Sequence, residues 1–84
     1  MSKQDKLIER FLSEPKDFTF NELVKLMSIF GYKLSNKGKT SDSRIIFFRK
    51  YSASILIHKP HQRNYLLIYQ IKEIKNILRK ERLL

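Results

Sequence analysis

Between Lys3 and Ser13 the apolar residues Leu7, Ile8, Phe11 and Leu12 fall at i, i+1, i+4 and i+5, a spacing that gathers them on one helical face. Pro15 cannot continue that helix, so the first element stops before it. The second helix, Phe20 to Phe30, is signalled from both ends. Thr19 and Glu22 have the spacing of a capping box, and Phe18 and Leu23 that of its hydrophobic staple. Leu23, Met27 and Phe30, with Val24 and Leu26 beside them, supply the buried stripe. Gly31 then offers the left-handed conformation that ends helices.

From Tyr32 onward the period shortens. Tyr32 and Leu34 alternate with Lys33 and Ser35, which predicts a short strand running into the turn-prone Asn36-Lys37-Gly38-Lys39. Ser43 to Tyr51 is a β-branched and aromatic run, and Ser54 to His58 is another. Only Ser52 and Ala53 separate them, so a tight antiparallel hairpin is expected. Pro60 lacks a ladder donor and ends the third strand. Past residues 59–64, Ile68, Ile71, Ile74, Ile77 and Leu78 recur every three or four positions while Lys72, Lys75, Arg79, Lys80 and Arg82 take the other face. A third helix from about Leu67 to Arg82 follows. The order helix, helix, strand, strand, strand, helix implies an α+β two-layer domain, a three-stranded antiparallel sheet covered on one face by helices.

The length of 84 residues fits one small domain with one thin core, so any chemistry must sit at its surface. A hydrophobic share of 42% argues against disorder. The chain has no cysteine, which excludes a disulfide scaffold, a thiol nucleophile and any Cys-based metal site. Neither an apolar leader after Met-Ser-Lys-Gln-Asp-Lys nor a membrane-length apolar run is visible, and the expected setting is the cytoplasm, away from membranes.

Charge changes the picture most. Of 18 basic and 8 acidic side chains, residues 1–32 hold five of each, and residues 33–84 hold 13 basic against 3 acidic, the entire net charge of +10. Such a lopsided distribution is the footprint of a polyanion binder. The strands and turns carry Lys33, Lys37, Lys39, Arg44, Arg49, Lys50, Lys59 and Arg63, opposed only by Asp42. A broad basic surface suits the shallow minor groove and phosphate rails of RNA better than base-edge reading in DNA, so RNA is the preferred partner.

The helix Asn21-Glu22-Leu23-Val24-Lys25-Leu26-Met27 leading into Phe30-Gly31-Tyr32, the Lys37-Gly38-Lys39 turn followed by Ser43-Arg44, and His58-Lys59-Pro60-His61 before the last helix together resemble the HicA family of toxins. The similarity covers residues 21–84. Within a single domain of residues 1–84, residues 1–18 then read as a helical extension and 19–84 as the HicA-like core. The resemblance implies a double-stranded-RNA-binding-like (dsRBD-like) fold, cleavage of mRNA without a metal or other cofactor, and neutralisation by an acidic HicB-type antitoxin. One position departs from the family: Asp42-Ser43-Arg44 stands where well-known members carry Gly-Ser-His, whose histidine is catalytic. The family's later histidine matches His61.

Cleaving RNA without metal needs a base for the 2′-hydroxyl proton, an acid for the leaving 5′-oxygen and cations for the phosphate. Histidine, with an ordinary pKa near 6.5, serves either proton role at cytoplasmic pH. The two histidines, His58 and His61, are therefore the catalytic candidates, and Lys37, Lys39, Arg44, Lys59 and Arg63 the RNA-binding candidates. Competing structural readings have His58 packing on the sheet and His61 shaping its loop. A metal between the two is disfavoured by the intervening Pro60 and the lack of a third ligand. Tyr65 and Tyr69 either stack on unpaired bases or pack at their helical spacing. Two other functions compete: a non-catalytic RNA- or antitoxin-binding module, and a DNA-binding protein using its last helix, which the charge on strands and turns disfavours.

Overall fold

The Thr19 hydroxyl accepts a bond from the Glu22 amide at 3.1 Å, and the Glu22 carboxylate accepts one from the Thr19 amide at 3.0 Å. The capping box therefore forms as its residues predict. In the computed structural model, which describes residues 3–35, 44–58 and 64–84, the chain runs α1 (Lys3–Leu12), α2 (Phe20–Ile29), β1 (Lys33–Ser35), β2 (Arg44–Phe48), β3 (Ile55–His58) and α3 (Ile68–Lys80). This is the α+β order expected.

Gly31 sits at φ 88° after α2, where its amide bonds the Ser28 carbonyl and the Tyr32 amide bonds that of Met27. This Schellman motif turns the chain directly into β1. α3 ends in the same pattern with Arg82, at φ 60°, in the glycine's place.

The strands form an antiparallel sheet in the order β1-β2-β3. Ile45 pairs with Ile57 and Phe47 with Ile55, and all four are buried under the helices. That register moves the hairpin turn away from Ser52-Ala53. The turn is Arg49 to Ser52, closed by a 3.1 Å bond from the Ser52 amide to the Arg49 carbonyl, with Tyr51 at φ 66°. A turn centred on Ser52-Ala53 would shift the pairing by an odd number of residues and place Phe47 on the same face as His58. Burial of the alternate residues fixes the register instead.

Phe11, Phe18, Leu23, Leu26, Met27, Ile71, Ile74 and Leu78 close over the sheet in one cluster. The Phe11 and Phe18 rings meet at 5.4 Å between centroids, tilted by 59°. α1 thus contributes Phe11 to the common core. The segments before α2 and α3 are stitched together by the Thr19–Tyr65 bridge, where the Leu66 amide bonds the Phe18 carbonyl at 2.8 Å and the Phe20 amide that of Asn64 at 3.3 Å. Among the described residues, no helix is long and apolar enough to cross a membrane.

Candidate nucleic-acid interface

One sheet face is covered by helices, and the other is open. On the open side the register sets Lys33 opposite Phe48, Ser35 opposite Ile46, Ile46 opposite Leu56, and the Arg44 backbone position opposite His58. Ile46, Phe48 and Leu56 are 39%, 43% and 55% exposed, so the middle of this face is apolar. Among the described residues, apolar side chains hold the centre of this face, and Lys33 and Lys50 stand at its turn end.

His58 alternates with Leu56, and both are exposed while Ile55 and Ile57 are buried. The histidine thus lies outside the core, at the strand end beside the position of Arg44. Its backbone is fixed by Gln70, a buried polar residue of α3. Gln70 Nε2 donates to the His58 carbonyl at 3.1 Å, and Gln70 Oε1 accepts from the Leu67 amide at 3.0 Å. Leu67 has no side-chain acceptor, so only this half of a capping box exists at the start of α3. One amide side chain thereby satisfies a helix terminus and ties it to the histidine strand. The sequence stripe of Ile71, Ile74 and Leu78 gave no hint of it, because Gln70 falls among residues whose partners lie on another element.

The ion pairs among the described residues gather where α1 meets α2 and α3. Arg10 bonds Glu22 at 2.8 Å and Asp17 at 3.0 Å. Burial pushes the Glu22 carboxyl up, but bonds from Arg10 and Thr19 outweigh it and leave its pKa below the ordinary value. Lys75 bonds Glu14 at 3.1 Å and the Leu12 carbonyl at 3.3 Å, and Lys72 approaches Glu14 at 4.0 Å. The cationic face expected for α3 is thus partly spent inside the molecule: Lys75 braces α3 against the end of α1.

At the turn end of the sheet, Gly31, Lys33, Phe48, Arg49 and Lys50 line an open hollow. Arg49 lies 5.9 Å from the Tyr32 ring and donates to the Ser52 hydroxyl at 3.4 Å, and Lys50 sits 5.4 Å from the Tyr51 ring. Tyr51 itself is 94% exposed. Neither Lys33 nor Lys50 has a carboxylate partner among the described residues. Sequence reasoning counted these cations but did not group them with Phe48, since only the strand register joins them. Tyr65 and Tyr69 are 42% and 57% exposed, and Tyr69 lines a groove with Leu56, His58 and Glu73.

Of the residues singled out from the sequence, His61, Lys37, Lys39, Lys59, Pro60 and Arg63 lie outside the described residues, as do Asp42, Ser43 and the Asn36-Lys37-Gly38-Lys39 turn; Arg44 is described by its backbone alone. The chain has no significant match to a family model, a curated protein or a solved structure.

Proposed function

We propose that the chain is a HicA-like RNA-binding toxin, a metal-independent endoribonuclease acting on mRNA in the cytoplasm and held in check by an acidic antitoxin. The observation that supports this most is an exposed histidine at the end of a strand, opposite Arg44, within the half of the sequence that carries the entire net charge of +10. The proposed step is attack of a 2′-oxygen on the adjacent phosphorus. His58 or His61 accepts the 2′-hydroxyl proton and the other supplies a proton to the departing 5′-oxygen, which leaves a 2′,3′-cyclic phosphate and a 5′-hydroxyl. Lys37, Lys39, Arg44, Lys59 and Arg63 hold the phosphates on either side. An acidic partner covering these cations would be captured quickly through complementary charge.

Incubation of the purified chain with labelled RNA in EDTA tests the proposal. Fragments with cyclic phosphate ends are expected, with turnover reduced roughly 10²- to 10⁴-fold in His58→Ala and in His61→Ala. Full activity in both variants overturns the assignment. The second reading is a non-catalytic RNA- or antitoxin-binding module of the same fold, favoured by arginine at position 44 where the resembled family has its catalytic histidine. Intact RNA, bound with a steep dependence on salt, identifies that case.

A further inference from the structure

The hollow at the turn end of the sheet lies away from His58, and no role proposed above uses it. Phe48, 43% exposed, is the aromatic side chain of its lining. Lys33 stands directly across the β1–β2 ladder, Lys50 follows at the turn, and Tyr51 extends beyond it at the tip. Arg49 walls the hollow, steadied by the Tyr32 ring and the Ser52 hydroxyl.

A single nucleic-acid strand repeats two features, a negative phosphate and a flat base, and a flat aromatic side chain between two cations answers both. A duplex answers only one of them, because its bases are already stacked on one another and shield their faces. The apolar middle of the open face, Ile46 with Leu56, points the same way: it offers phosphates nothing and bases a dry surface.

We propose that this hollow is a subsite for one unpaired nucleotide of an RNA strand, with Phe48 stacking on the base and Lys33 and Lys50 meeting the phosphates on either side of it. The inference rests on the RNA-binding reading above and extends it by naming a strand type and a second contact point. The hollow and the His58 end lie at opposite ends of the β2–β3 ladder, so a strand that reached both would run along the sheet.

The test is fluorescence anisotropy of the full chain with labelled oligouridylate and with a blunt RNA duplex of equal length, each across a salt series. Phe48→Leu is expected to weaken oligouridylate binding by roughly five- to a hundredfold, the range of one lost base–aromatic stack. It should leave the duplex nearly unaffected. Phe48→Tyr keeps the aromatic face and should keep the affinity, which separates stacking from any disturbance of the sheet. Lys33→Gln and Lys50→Gln should each reduce the slope of log affinity against log salt for the single strand by about 0.7. If the parent chain binds oligouridylate and Phe48→Leu binds it equally well, the subsite is overturned and the RNA reading stands. If the parent chain binds neither RNA, both fall together.

Discussion

The corner where α1 meets α2 and α3 and the turn end of the open sheet face use charge in different ways. Around α1 and α2, Arg10 is shared between Glu22 and Asp17, and Glu14 draws in Lys75 and Lys72, so cations and carboxylates there serve the fold. On the open face Lys33 and Lys50 stand beside exposed aromatic and aliphatic side chains with no carboxylate partner among the described residues. Surface ion pairs contribute little individually, so the lesson lies less in the energy of the pairs than in where compensation stops. Positive charge that the fold does not neutralise is what a polyanion would meet.

The contrast can be broken most severely through the core that both regions share. Phe11→Ala removes a fully buried ring and its contact with Phe18, and should cost about 3–5 kcal/mol by urea denaturation. A loss below about 1 kcal/mol would mean that α1 is an appendage after all. Gln70→Met keeps the side-chain length but leaves the His58 carbonyl and the Leu67 amide without their partner, at about 2 kcal/mol in the same measurement. Because that bond joins the helical layer to the histidine strand, hydrogen exchange in β3 should quicken more than in α2.

The smallest of these effects sharpens the contrast most directly. Glu22→Gln retains an acceptor for the Thr19 amide and removes the charge facing Arg10, so about 1 kcal/mol should be lost at pH 7. The folded pKa of Glu22 lies below its ordinary value of 4.5, so its ionic contribution is present above that pH and disappears as pH falls through the folded pKa. The parent and variant stability curves should therefore converge in acid. Curves that stay parallel from neutral pH down to about pH 3 would show that the ion pair contributes nothing.

Local signals were legible wherever neighbours in sequence are also partners in space. Thr19 with Glu22, the left-handed Gly31 and the stripe of Ile71, Ile74 and Leu78 all became the predicted features, because capping and helical periodicity act over four residues or fewer. The hairpin turn was misplaced because its position depends on matching Ile45 and Phe47 with Ile57 and Ile55 across two strands. The same limit hid the other non-local features. Lys75 looks like one more cation on a solvated helix face until Glu14 comes to meet it, and Lys33 has no visible relation to Phe48 until the sheet forms. His58 was legible as a strand-end residue, but its exposure on the open face and its anchoring by Gln70 were not.

The bridge between Thr19 and Tyr65, with the clasp of Glu14 on Lys75, fastens the first third of the polypeptide to its last. The three strands are consequently slung between two moorings, and the platform they present is shaped before any visitor arrives. A molecule settling on Phe48 and Leu56 would have little sheet backbone left to order, so more of the contact energy would survive as affinity.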